Sequence, residues 1–267
     1  MRSFTDLVEE AAAADVSGWD FGWLDGRATE ERPPWGYARI LAARLPVATA
    51  ALDIDTGGGE VIDGIPTLPP RMCATESWPP NLERACELLA PRGVEVVASR
   101  EGEPLPFPDG SFDLVISRHP VRPDWPEVAR VLCRGGTYLA QHVGPASAFE
   151  LIEYFLGPMP QQRTARDPQA AAAAAEAAGL TVVDLRTASC RMEFFDIGAV
   201  VYILRKCIWW VPDFTVDRYH SALMRLDRQI RRDGAFVAHS TRYLIEAVKI
   251  ETGPEVTGAS SRGGRRR

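Results

Sequence analysis

The run Ala51-Leu52-Asp53-Ile54-Asp55-Thr56-Gly57-Gly58-Gly59-Glu60 joins an apolar strand to an acidic, glycine-dense turn. Without Cβ atoms such a turn lets backbone approach a ligand closely, and open α/β sheets bind their ligands at this carboxyl edge. Ile62 stands where a dinucleotide fingerprint requires its third glycine, and no Lys-Ser or Lys-Thr follows to make a phosphate-cradling loop. The turn therefore suits a ligand without pyrophosphate. Glu76 closes the next predicted strand nineteen residues beyond Gly57, where a carboxylate in this architecture accepts hydrogen bonds from ribose hydroxyls. The plainer reading of Glu76 is a solvated strand-end acid.

These residues need a sheet to hold them. Apolar runs rich in Val, Ile and Leu alternate with helix-period segments, the pattern of a parallel sheet covered on both faces. The predicted strands are residues 48–55, 71–76, 94–98, 112–117, 137–143, 180–185 and 236–248, the last interrupted at His239, Ser240 and Thr241. A helix carrying Tyr37, Leu41 and Leu45 ends at Pro46; another begins near Pro79 and stops before Gly93. Asp124 and Glu127 predict a capping box for a helix that Gly135-Gly136 ends, Asp167-Pro168 and Gly179 bound an alanine-rich helix, and a charged helix is expected from about Thr215 to Arg232.

The expected fold class is α/β: a doubly wound, mostly parallel, seven-stranded Rossmann-like sheet with N-terminal and late aromatic helical lid segments. Its organisation reads as an N-terminal helical cap over residues 1–46, a sheet domain over 47–251 with a helical insertion at about 191–234, and a flexible basic tail over 252–267.

Composition supports a globular chain of 267 residues: 46% hydrophobic and 25% charged residues exclude fibrous and wholly disordered classes. No apolar run approaches the roughly 18–20 residues that span a bilayer, and the first residues lack a leader pattern, so a cytoplasmic protein is expected. Five widely spaced cysteines fit neither a disulfide framework nor a metal cluster and read as reduced, mostly buried thiols; no metal is expected. A formal net charge of -6 disfavours stable nucleic-acid binding, and Arg262, Arg265, Arg266 and Arg267 sit in a Gly/Ser-rich tail that reads as solvated.

Four motifs in order then carry a resemblance over residues 50–145. They are Leu52 to Glu60; Ala74-Thr75-Glu76; Glu101 to Phe112, with Leu105-Pro106-Phe107-Pro108-Asp109-Gly110-Ser111-Phe112-Asp113; and Glu127-Val128-Ala129-Arg130-Val131-Leu132-Cys133-Arg134-Gly135-Gly136. Together they resemble the class I S-adenosylmethionine-dependent methyltransferases, in particular the small-molecule group with an acid-x-x-x-Leu-Pro-Phe motif. The resemblance implies S-adenosyl-L-methionine as cofactor. By motif position Asp53, Gly57 and Gly59 shape the site for its methionine part, Glu76 holds ribose, Glu101 and Leu105 meet adenine, and Asp55 and Ser117 complete the cofactor set. Asp55 replaces a usual glycine, Glu101 a commoner aspartate, and Arg134 the proline before the double glycine.

In similar enzymes the end of the fourth strand, here Ser117-Arg118-His119, faces the place where cofactor and acceptor meet. His119 is the candidate general base, against a reading in which it only shapes the turn. Ser117-Arg118-His119-Pro120 replaces the Asn/Asp-Pro-Pro-aromatic signature of enzymes that methylate exocyclic amines. Trp19, Trp23, Trp35 and His142 are candidate acceptor-pocket residues, giving a small apolar or aromatic acceptor as the working class. Two alternatives stand beside it: ribosomal or transfer RNA as acceptor, and a noncatalytic cofactor-binding regulatory protein. The oligomeric state is not legible.

Overall fold

A computed structural model describes residues 2–100 and 102–250. The strands are Ala28–Glu30 (β1), Ala50–Ile54 (β2), Arg71–Glu76 (β3), Glu95–Ala98 (β4), Phe112–Arg118 (β5), Leu132–Val143 (β6), Thr181–Phe194 (β7) and Phe236–Val248 (β8). They form one sheet in the order β1-β7-β8-β6-β5-β2-β3-β4. Neighbours among β2 to β6 pair in parallel, while β8 is antiparallel to both β6 and β7, and β1 is antiparallel to β7. The helices are Phe4–Ala13 (α1), Tyr37–Arg44 (α2), Glu60–Asp63 (α3), Pro79–Leu89 (α4), Trp125–Val131 (α5), Phe149–Leu156 (α6), Pro168–Ala177 (α7), Ile197–Lys206 (α8) and Val216–Asp233 (α9).

The central runs become strands because successive side chains find different cores. Ala51, Ala74, Leu114, Ile116, Leu139 and Leu244 pack with Tyr37, Leu41, Ile62 and Leu89 of α2, α3 and α4. Their chain neighbours Leu52, Cys73, Val115, Tyr138, Tyr243 and Ile245 pack on the other face with Trp125, Val128, Ala172 and Ala175 of α5 and α7. That alternation is the period-two signature of a sheet buried on both sides. A third core gathers the N-terminal and late helical segments on a part of the sheet that the sequence reading does not place. The last pair between β6 and β8 is Val143 with Arg242, but β7 and β8 run on together from Ser189–Thr241 to Phe194–Phe236. On this overshooting ribbon α1, α6, α8 and α9 assemble around Leu7, Leu151, Met192, Phe194, Val200, Leu223 and Phe236.

Several boundaries differ from expectation. The sheet has eight strands, because the N-terminal segment is more than a helical cap and supplies the edge strand β1. The late insertion is helical only from Ile197; Arg191 to Phe194 belong to β7. His239, Ser240 and Thr241 do not interrupt β8, since partners distant in the chain satisfy them: Glu150 takes the His239 ring, Glu30 the Ser240 hydroxyl, and Thr241 bonds Pro145 O at 2.7 Å. Gly135-Gly136 does not end α5, which stops at Val131; the pair lies inside β6, beside a register shift against β5. A Cβ at Gly136 would sit 2.9 Å from Cys133 O and 3.2 Å from Phe112 O, so the irregular pairing itself demands glycine there. Asp124 accepts the Glu127 N–H as an N-cap, but the Glu127 carboxylate turns elsewhere and completes no box.

That carboxylate explains why two of the motifs occur together. Glu127 accepts the Leu105 N–H at 2.6 Å and pairs with Arg130 one turn later, while Arg130 reaches Leu105 O, Phe107 O and Asp109 at 2.8–2.9 Å. The loop before β5 is thus clamped to α5, with the Arg130 pKa pushed up chiefly by its bonds to Glu127 and Asp109. Arg130→Ala strips the loop carbonyls and leaves Glu127 unpaired. The expected loss is about 2–3 kcal/mol in urea unfolding, the scale of hydrogen bonds to charged groups. Amide exchange at Leu105–Asp109 should quicken before the rest of the sheet opens; unchanged exchange there would contradict the clamp.

Candidate functional site

The strand order reverses direction of growth at β2, whose neighbours β3 and β5 lead to opposite ends of the sheet. The crevice outside such a switch point is where open sheets place ligands. Here the turn after β2 is fastened from both sides. Thr56 N–H donates to Thr75 O and Gly57 N–H to Glu76 Oε2, at 2.9 and 2.8 Å, while Ser117 Oγ–H donates to Ile54 O at 2.8 Å. Asp55 at φ 57, Gly57 at 66 and Gly59 at 88 take the left-handed backbone that the reversal requires. A Cβ at Gly59 would press on Leu89 at 2.9 Å, which ties the turn to α4; at Gly57 it would meet nothing within 4 Å, so space lies open there.

Glu76 is buried, at 5% exposure, and is not the solvated acid of the plainer reading. Its carboxylate accepts the Gly57 N–H on one oxygen and the Ser77 and Trp78 N–H groups, both at 2.8 Å, on the other. Three of its roughly four acceptor positions are thereby filled, which leaves about one for a ligand hydroxyl. Asp53 is also buried, on the same sheet face as Ala51. Burial pushes its carboxyl up to about 7; the Thr56 hydroxyl opposes this, Asp55 and Glu76 add to it, and Arg118 opposes it. Leu105 is half-buried in the clamped loop, while Glu101 lies outside the described residues, as does the basic tail. Sequence reasoning brings together Asp53, Asp55, Gly57, Gly59, Glu76 and Ser117 at one sheet edge, and the structure places them so.

His119 follows the last residue of β5 in a left-handed conformation, φ 60, with its N–H on Gln141 O at 2.7 Å. Its ring is fixed by a relay that sequence reasoning missed. Trp35 Nε1, which can only donate, lies 2.7 Å from Gln141 Oε1. The Gln141 amide nitrogen must then face the ring, and it lies 3.0 Å from His119 Nε2. An amide nitrogen cannot accept, so Nε2 accepts and the ring proton sits on Nδ1. Burial, with the charges of Arg118, Arg242, His142 and Arg166, lowers the His119 pKa to about 3. The geometry gives His119 a capability other than the general base expected of it: its Nε2 lone pair is occupied, and it remains neutral at working pH.

The pocket candidates separate. Trp35 is buried at the head of the relay beside Tyr37, whose hydroxyl donates to Ser117 O at 2.9 Å and whose pKa burial raises well above normal. His142 is an interior histidine: its two ring nitrogens meet Tyr138 and Tyr243 hydroxyls at 3.1 and 2.9 Å, and burial lowers its pKa to about 3. Trp23 stacks on Tyr202 at 4.6 Å in the third core, and Trp19 lies half-exposed against Trp209. Arg118, Arg166 and Arg242 were also missed; three scattered arginines carry no spacing that would announce a cluster. Among the described residues no group of three or more His, Cys, Asp or Glu could hold a metal ion, and no helix is long and apolar enough to cross a membrane.

Comparison with known proteins agrees with this geometry. A family described as a methyltransferase domain matches residues 52–140, which run from β2 through most of β6. Among solved structures the fold is shared with the YcgJ protein of Bacillus subtilis, at 19% identity and a TM-score of 0.58 over 80% of this chain and 98% of that one. A candidate methyltransferase from Bacillus halodurans C-125 is 16% identical, with a TM-score of 0.57 over 82% and 99% of the two chains. The [4+2]-cyclase SpnF shares the fold at 16% identity, covering 92% and 93%, with a TM-score of 0.50. No curated protein matches the chain significantly. With its switch-point turn and its sheet, the chain carries over residues 52–140 a segment that matches a methyltransferase domain, in a fold shared with these structures.

Proposed function

We propose that the chain methylates a small molecule that enters beside the ends of β5 and β6, where β8 runs on past them, under the helices of the third core. The observation that carries this reading is the division of the carboxyl edge. Carboxylates of Asp53, Asp55 and Glu76 gather at the ends of β2 and β3, and the aromatic third core rises beside β6 on the β7–β8 ribbon. The acidic side suits the cofactor, whose sulfonium and ammonium are both cationic, and the open space at Gly57 admits its backbone-hugging part. S-adenosylmethionine supplies an activated methyl group that needs only an aligned acceptor. In this reading Asp53 and Asp55 attract the cationic part, Glu76 accepts a ribose hydroxyl at its remaining position, and Leu105 covers adenine. Orientation and exclusion of water are the contributions left to the protein, and these alone can lower such a barrier substantially. The low basicity of His119 fits this division, because transfer to an already nucleophilic atom requires no strong base.

An apolar or aromatic acceptor is favoured over RNA by the net charge of -6 and by the aromatic character of the third core. Folds of this kind host other reactions, as the [4+2]-cyclase illustrates, so turnover must be measured and not assumed from binding.

Calorimetric titration with S-adenosylmethionine and S-adenosylhomocysteine tests the reading, with NAD as the control that should not bind. A cationic ligand favours ionised Asp53, so binding near pH 7 should release a proton, and affinity should fall up to about tenfold per pH unit below 7. Asp53→Asn should flatten that dependence; a pH-independent wild-type affinity would remove Asp53 from the site. The same substitution has an opposite effect on the unliganded fold. A carboxyl whose folded pKa is raised stabilises below its unfolded value of 3.8, and that contribution is lost as pH rises through about 7. Asp53→Asn should therefore raise the unfolding midpoint at pH 8, by about 2–4 °C for each kcal/mol recovered, and raise it less at pH 5.

A further inference from the structure

The acceptor side of the sheet edge is basic, in contrast to the cofactor side. Arg118 ends β5 opposite Gln141, and Arg242 stands opposite Val143 at the end of β6. Arg166, in a left-handed turn, immediately precedes α7. Their charges all act on the His119 ring, and Arg118 acts also on Asp53, which puts it between the two halves. Arg242 is mostly buried and partly neutralised: it pairs with Glu30 at 3.0 Å and donates to Ser147 Oγ and Thr241 O. The guanidinium of neither Arg118 nor Arg166 has a hydrogen-bonding or ion-pair partner among the described residues. Asp167, next to Arg166, gives its side chain to the Gln169 N–H as the cap of α7.

The relay completes the argument. With Nε2 accepting from Gln141, His119 keeps its proton on Nδ1, and that atom has no hydrogen-bond partner among the described residues. It is not sealed in either: among the described residues the buried polar side-chain atoms left without hydrogen-bond partners are the Thr56 and Thr75 hydroxyls, on the β2–β3 side of the edge. A donor held by a buried relay, open to the edge and ringed by cations, has the character of an anion receptor and not of a proton acceptor. An apolar or aromatic acceptor can satisfy both the third core and this corner only if it carries a negative group.

We propose that the methyl acceptor carries an oxyanion, a carboxylate or a phosphate, which the Nδ1–H of His119 and the guanidinium of Arg118 bind, with Arg166 and Arg242 reinforcing the field. This rests on the methyltransferase reading of the site, and the test separates the two. The full chain is first titrated with S-adenosylhomocysteine, then, once saturated, with inorganic phosphate, with benzoate and with neutral benzamide. Benzoate or phosphate should saturate and benzamide should not; saturation by benzoate alone assigns a carboxylate, by phosphate alone a phosphate. Arg118→Gln and Arg166→Gln, which remove no bond within the protein, should each weaken the anion several-fold, with Arg118→Gln costing about tenfold, as expected for a charge-assisted contact. The imidazole ¹⁵N spectrum should keep the Nδ1–H tautomer and shift that nitrogen on anion binding. If the protein binds S-adenosylhomocysteine but takes the anions no better than benzamide, or if both arginine variants bind them unchanged, the inference is overturned while the cofactor reading stands. Failure to bind S-adenosylhomocysteine would remove both.

Discussion

Two chain reversals, one after β2 and one after β3, share a single buried carboxylate. Glu76 closes its own turn through the Ser77 and Trp78 N–H groups and reaches across to hold Gly57. A buried carboxylate must be supplied with donors, and backbone amides at a reversal are donors without helical or ladder partners. Each needs the other, so the geometry of the glycine turn is set by a residue on the neighbouring strand. Ser117 Oγ completes the fastening from the third strand of the group. The result is a crevice whose walls come from β2, β3 and β5 but move as one piece, which a reaction governed by alignment requires.

Charge is distributed over this rigid edge in a way that the overall acidity of the chain conceals. Carboxylates collect where β2 and β3 end, and arginines collect where β5 and β6 end and β8 runs past them. The two sets influence each other through Arg118, whose charge favours ionised Asp53 and neutral His119 together. Like charges left close together without a ligand cost stability, and that cost is offset when ions of opposite sign arrive. The third core meets the same edge with apolar surface, so one corner combines a charged contact and an apolar wall.

How much of this was legible in the sequence follows from the range of the interactions. The parallel strands and their helices were readable because their cause is local: apolar runs along β2, β3 and β5 alternate with helix-period segments, and prolines and a capping aspartate mark α4 and α7. The glycine turn and Glu76 were readable because both sit at fixed positions on those strands. What failed depends on partners distant in the chain. β1 is three residues, Ala28-Thr29-Glu30, with no apolar rhythm, and is a strand only because β7 overshoots and offers it an edge. The polar stretch His239-Ser240-Thr241 resembles a break until Glu150 and Glu30 are brought to it. Gly135-Gly136 has the look of a helix stop, but the glycine is needed for close backbone approach inside β6. The roles of Gln141 and Trp35 were hidden for the same reason, since 106 residues separate the two ends of their hydrogen bond.

That relay also bears on how the reaction is assisted. A histidine at the end of β5 invites a mechanism in which imidazole removes a proton, and sequence alone provides no reason to refuse it. The deciding atom is the indole N–H of Trp35. Because it can only donate, it orients the Gln141 amide, and the amide in turn fills the lone pair a base would use. Protonating Nε2 would set two donors against each other, and burial, with the charges of Arg118 and Arg242, lowers the ring's pKa to about 3. The backbone adds to this commitment: at φ 60, with its N–H on Gln141 O, His119 is held in a conformation a non-glycine residue seldom adopts. The chain thus spends two buried polar side chains on keeping one imidazole neutral and donating. A site that invests in that way is organised around holding its acceptor in place, and the nucleophile must be supplied by the acceptor's own chemistry.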